Sequence, residues 1–218
     1  MTSYEIRNNP LFLRNAYFSD NIWDIPCIEK QDLSLQHVSL IAYSATKARD
    51  SAENYQKGVH FFLDDYRFRR VYTHPAESLG RIAKYAFALT PDSSTYTNMP
   101  RWRIMESVAH SRWCGAYWQS EGLLVVPTVS WANPNTYDLC FADLPRGGVV
   151  AVSTLGCKAA KGSFLAGYQE MLRRLQPRAI ICFGRPFAEM GGQLLVVDYI
   201  SPRKGGGLTW ADVAAAPE

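Results

Sequence analysis

The chain has 218 residues, 47% hydrophobic and 20% charged, which is the size and balance of one folded domain with a substantial core. That composition excludes a disordered or fibrous chain. Twenty-three Lys and Arg against 20 Asp and Glu leave a net +3, too small to imply nucleic-acid binding by charge alone.

Residues 1–21 lack the basic, apolar and small-residue segments of a signal peptide, and no run approaches the ~18 apolar residues of a membrane span. The expected location is the cytoplasm, with no membrane partner. Five cysteines (Cys27, Cys114, Cys140, Cys157, Cys182) are odd in number and widely spaced, without a C-x-x-C pair. The four histidines include no i,i+4 pair. Neither a disulfide framework nor a metal cluster is expected.

An aromatic-rich lead-in (1–34), punctuated by Pro10 and Pro26, reads as irregular chain draped over the core. A first strand is predicted over 35–42 and a weakly helical stretch over 45–56. The run His60-Phe61-Phe62-Leu63 reads as a buried strand ending in Asp64-Asp65. Pro75 opens a helix to residue 85, with Leu79, Ile82, Ala83 and Ala86 on one face. Strands follow at 85–90 and 123–129, with a helix from Pro100 to about Glu121 between them. Further strands are predicted at 149–154, 179–183 and 194–199, with a helix over 163–175 stopped by Pro177. Arg203-Lys204-Gly205-Gly206-Gly207 marks the approach to a flexible tail, 205–218.

Short apolar strands alternating with helices imply crossover connections and a mostly parallel sheet with flanking helices. The expected architecture is a single α/β domain over 1–204. An open doubly wound sheet and a small or incomplete barrel remain alternatives. Both place ligands at the C-terminal ends of the strands.

That rule selects the candidate site. Asp64, Asp65 and Asp92 stand at strand ends, where carboxylates serve as general base, hold a hard cation, or merely cap a turn. Ser130, Trp131 and Thr154 follow two further strands, and Trp131 is the expected pocket wall, ahead of Trp102. The loop before the helix at 163–175 carries Lys158, Lys161, Gly162 and Ser163, the setting of a phosphate cradle with Ser163 as helix cap. It is not a Walker A motif, because the lysine precedes the second glycine. Trp113 and Tyr117, i,i+4 on one helix, offer with Trp118 a face that can stack a base, with Gln119 reading its edge and Arg112 pairing phosphate, although an aromatic helical face is more often core. No nucleophile–base pair stands out, and no motif names a cofactor or a catalytic residue.

Several strings carry a resemblance. They are Phe62-Leu63-Asp64-Asp65-Tyr66-Arg67-Phe68, Leu89-Thr90-Pro91-Asp92-Ser93-Ser94-Thr95-Tyr96 and Ser111-Arg112-Trp113-Cys114-Gly115-Ala116-Tyr117-Trp118-Gln119. Val126-Pro127-Thr128-Val129-Ser130-Trp131 and Val150-Ala151-Val152-Ser153-Thr154-Leu155-Gly156 belong with them. Over about 9–199 the chain resembles an uncharacterised family of bacteria, plasmids and phages known only as a domain of unknown function. The family pattern carries an aromatic where Ser93 stands and an aliphatic where Cys157 stands, which argues against Cys157 as a shared nucleophile. The resemblance implies no catalytic residue. It implies a mobile-element setting, and with it nucleic-acid metabolism or conflict with host defence.

Three functions fit these observations. The first is binding of a small phosphorylated, nucleotide-type ligand in a strand-end pocket, sequestering a signalling nucleotide. The second is metal-assisted phosphodiester hydrolysis of nucleotides or nucleic acid, with Asp64 and Asp92 on the ion. The third is a DNA-binding accessory role in plasmid or phage replication, through Arg67, Arg69, Arg70, Arg101 and Arg103.

Overall fold

The structure, a computed structural model, describes residues 2–7 and 17–197. After a short helix, α1 (Ser3–Arg7), its strands are β1 (Leu40–Ala42), β2 (Gly58–His60), β3 (Phe87–Leu89), β4 (Val125–Val126), β5 (Val149–Ser153), β6 (Ala179–Phe183) and β7 (Leu194–Val197). The connecting helices are α2 (Ala52–Tyr55), α3 (Arg69–Thr73), α4 (Pro75–Ile82), α5 (Arg101–Ser120), α6 (Tyr137–Cys140) and α7 (Lys161–Leu175).

Every strand pair is parallel, in the order β1-β2-β3-β4 and β5-β6-β7. Beyond β4 the chain stays extended and joins the two sheets. Thr128 pairs with Ala151, the Val129 N–H donates to the Ala151 carbonyl at 2.8 Å, and the Ala151 N–H donates to Pro127 O at 2.9 Å. The order never reverses, so right-handed crossovers keep the connecting helices on one face. A doubly wound sheet needs a reversal, and that alternative falls away.

The helix-free face curls onto itself. Phe62 and Phe183 stack at 4.8 Å and His60 lies 4.5 Å from Phe183, although three strands separate β2 from β6 in the order. Phe87, Leu89, Val126, Val149, Ala151, Ala179 and Ile181 fill the concave side with them. Strand alternation sends the intervening residues outward. Val150, Val152, Ile180 and Cys182 meet Tyr168, Met171 and Leu175 of α7, and Val59, Ala88 and Val125 meet Trp113, Cys114 and Trp118 of α5. Among the described residues β1 and β7 are not paired, so the barrel is incomplete rather than closed.

Several boundaries differ from the sequence expectations. The stretch at 45–56 is a 3-10 turn (Tyr43–Ala45) followed by the four-residue α2. The strand expected at His60 to Leu63 ends at His60, and its two phenylalanines lie beyond the pairing. The run at 123–129 makes regular pairs only at Val125–Val126, because Pro127 lacks the N–H a ladder needs. Helices α3 and α6 were not expected; α6 follows a 3-10 turn capped reciprocally by Asn133 and Thr136. Within the lead-in, Ile25, Ile28 and Leu33 are buried. The tail at 205–218 lies outside the described residues.

Candidate functional site at the strand ends

Three hydroxyls fix the C-terminal ends of β3 and β4 against α5. Thr128 donates its backbone N–H to Thr90 Oγ1 at 2.9 Å and its own hydroxyl to the Thr90 carbonyl at 2.7 Å. Ser111 Oγ of α5 donates to Thr90 Oγ1 at 3.1 Å. Buried hydroxyls need such partners, and these hold the following residues in place.

Asp92 follows two residues after Thr90. Its carboxylate has no hydrogen bond or ion pair among the described residues. Loss of water pushes its pKa up to about 7, and the negative charge of Asp65 adds to the shift. Asp65 itself is committed, accepting the Ser94 hydroxyl at 3.0 Å and the Ser94 N–H at 3.3 Å. The Asp92 charge also reaches Cys157, in the 3-10 turn that leads into α7 (Cys157–Ala160). Burial pushes the Cys157 thiol up to about 11, with the Asp92 charge contributing, so it stays protonated at neutral pH. Asp92, in the loop after β3, is therefore a carboxyl that exchanges its proton near pH 7, within electrostatic reach of Asp65 and Cys157 from the loops after β2 and β5.

Arg112 of α5 is 2% exposed. Its Nη2 donates to the Cys140 carbonyl at 2.8 Å and its Nη1 to the Thr128 carbonyl at 3.4 Å. Its Nε has no partner, and no carboxylate lies within salt-bridge distance, among the described residues. Burial holds its pKa down to about 10. With Ser93, Ser107, Ser111, Thr128 and Ser130 it lines a small cavity between α5 and the strand ends.

The expected site residues divide. Asp65, Asp92, Ser130 and Thr154 follow β2, β3, β4 and β5 along the chain; Thr154 is buried, its N–H donating to the Phe183 carbonyl at 3.0 Å. Asp64 faces solvent, 3.9 Å from Arg67, because the chain turns outward there. Trp118 is fully buried and stacks on Phe61 at 5.6 Å, so it fills core instead of reading a base. Gln119 sits at the other end of α5, where its amide donates to the Glu29 carbonyl at 2.9 Å and accepts the Glu29 N–H at 3.0 Å. Trp131 is 9% exposed and packs on Phe164. A Cβ at Gly167 would lie 2.1 Å from the Trp131 indole nitrogen, so the glycine makes room for that ring.

The expected phosphate cradle is also altered. Helix α7 starts at Lys161, so Ser163 is an exposed first-turn residue and not the cap. Gly162 is exposed with open space where a side chain would stand, so nothing approaches it closely. Lys161 is held 2.7 Å from Glu189, whereas Lys158 is exposed and makes no ion pair among the described residues.

Exposed aromatics lie along the chain after β2 and β3. Tyr66, Tyr96 and Trp102 are 74%, 63% and 67% exposed, and the Ser94 hydroxyl that binds Asp65 also reaches Tyr96 OH at 3.3 Å. Of the arginines expected on a DNA face, Arg70 pairs with Glu77 at 2.5 Å, Arg103 pairs with Glu106 and Arg67 lies near Asp64. In the sequence Arg112 stands out only as a cation beside the Trp113 and Tyr117 face, where it would pair phosphate; its burial is not visible there. Its signal is the polar stripe Ser107, Ser111, Arg112 on a helix whose neighbouring positions are apolar or aromatic.

Fold and site together define a parallel α/β protein whose polar groups gather at one end of a curled sheet. The chain belongs to the family described as a domain of unknown function, DUF4417, whose model matches residues 17–200. It is similar to the Gene 1 protein of Mycobacterium phage L5, 40% identical over 178 residues, covering 80% of this chain and 77% of that protein. The Gene 1 protein of Mycobacterium phage D29 is 41% identical over 178 residues, covering 80% of this chain and 65% of that protein. These relatives support a phage origin. No solved structure matches the chain. Among the described residues no helix is long and apolar enough to cross a membrane.

Proposed function

We propose that this protein binds a small phosphorylated ligand of nucleotide type over the C-terminal ends of β3, β4 and β5. The observation that carries the reading is Asp92, an unpartnered carboxyl with a pKa near 7 at the mouth of a parallel sheet. Such a group accepts or shares a proton with a ribose hydroxyl or a base N–H. Lys158 adjoins Cys157, whose thiol senses the Asp92 charge, and it supplies the positive charge for a phosphate. Tyr66, Tyr96 and Trp102 replace the two buried tryptophans as stacking surfaces.

The test is mass spectrometry of small molecules released when freshly purified protein is denatured. A nucleotide should come off the wild type and be reduced in Asp92→Asn and Lys158→Ala. A wild type that releases nothing, and whose melting temperature no nucleoside phosphate raises, would sink the reading.

Metal-assisted hydrolysis is the second reading, favoured by the repulsion between Asp65 and Asp92, which a divalent cation placed between them would relieve. The described residues hold no group of three His, Cys, Asp or Glu, so ligand oxygens would complete such a site. Phosphodiesterase activity abolished by chelation would favour it over sequestration.

A further inference from the structure

We infer that the cavity beside Arg112 is a seat for one oxygen of an oxyanion, either free phosphate or the phosphoryl end of a larger ligand. Burying a cation is costly unless a negative group meets it. Arg112 is 2% exposed, yet it meets only two backbone carbonyls, and its Nε is left without a partner among the described residues. The nearest acid, Asp143, is already engaged by the Asn21 amide at 2.5 Å and the Asp20 N–H at 3.0 Å. Ser93, Ser107, Val108, Ser111, Thr128, Ser130 and Cys140 line the cavity with Arg112. The Ser111 hydroxyl is already given to Thr90 Oγ1, which leaves Ser93, Ser107 and Ser130 as side chains able to donate to an oxyanion. A guanidinium lining a cavity shared with serine side chains suits a charge-assisted bond to phosphate oxygen. The cavity is small, so a single oxygen enters while the rest of the group faces the strand-end mouth.

The seat needs neither Asp92 nor a nucleotide, which makes it separable from the function proposed above. Calorimetric titration of the full chain with inorganic phosphate, at constant ionic strength set by chloride, reads it directly. Saturable binding should appear in the wild type and weaken about tenfold or more in Arg112→Met, the loss expected for one charge-assisted bond. Ser130→Val keeps the guanidinium but fills the cavity, and it should weaken binding similarly; it decides the matter if Arg112→Met fails to fold. Arg112-dependent binding of nucleoside monophosphates without binding of free phosphate assigns the seat to a ligand's phosphoryl end. No binding of either, or affinity unchanged in Ser130→Val, overturns it.

Discussion

Asp92 is a residue that works against the fold holding it. Unfolded, its carboxyl titrates near 3.8; folded, near 7. Between those values the native state takes up a proton that the unfolded chain does not, so this group lowers stability as pH rises and its cost is complete above about pH 7. Asp92→Asn should therefore stabilise the protein at pH 8 by roughly 2–4 kcal/mol, a gain that vanishes by about pH 4. Denaturant melts of both proteins at the two pH values check this. The tryptophans make the complementary case. Trp131→Ala should cost about 3–5 kcal/mol, because the ring fills space that Gly167 leaves for it. Trp102→Ala should change stability by about 0.5 kcal/mol or less while weakening ligand binding. Equal losses of stability would contradict the structure. The sequence ranks Trp131 ahead of Trp102 for ligand binding, because a strand-end position says where the backbone is, not which way a large side chain turns. Asp92 was legible from its place after a strand. Arg112 was legible only as a cation beside an aromatic face, since nothing in one sequence reveals that the second half of its helix is buried nearly all round.

At the scale of elements, α5 joins the sheet to the site. Its apolar residues pack on β2–β4, and its serine-and-arginine stripe meets the ends of β3 and β4 through Thr90 and Thr128. Thr128→Val removes the donor to the Thr90 carbonyl and should cost about 1–3 kcal/mol, with weaker phosphate binding because the Arg112 anchor shifts. Thermal melts and the phosphate titration read both effects. Strands β5 and β6 were plain in the sequence, because strands covered on both faces appear as unbroken apolar runs. Their neighbours blurred where function or turns intervened. Pro127 cut short the run at 123–129, and α7 began two residues early because Lys161 and Gly162 accept helical geometry without a capping side chain.

For the whole molecule, parallel architecture was legible from the alternation of strands and helices, but strand order was not. Order depends on pairing between distant segments, and only contacts such as His60 with Phe183 reveal the curl. That contact has its own pH signature. Burial holds His60 down to about 4 against an ordinary 6.5, so the unfolded chain gains protons first as pH falls and stability drops across that window. Asp92 acts in the opposite sense over an overlapping range, and the two partly cancel in the wild type. Asp92→Asn should unmask the histidine, giving a steeper fall in stability between pH 6.5 and 4 than the wild type shows. Parallel slopes in the two proteins would refute the pairing of effects.

The strand order also bears on how the molecule is made. Within each sheet, every strand lies beside the one that precedes or follows it along the chain, and the Thr128–Ala151 bridge keeps that rule between sheets. A strand leaving the ribosome thus finds its partner already present, with no early edge left waiting for a distant segment. Growth by addition to the most recent strand lets folding keep pace with synthesis. The strand-end groups are assembled in the same sequence: the Asp92 loop first, then Thr128, then the turn bearing Cys157 and Lys158.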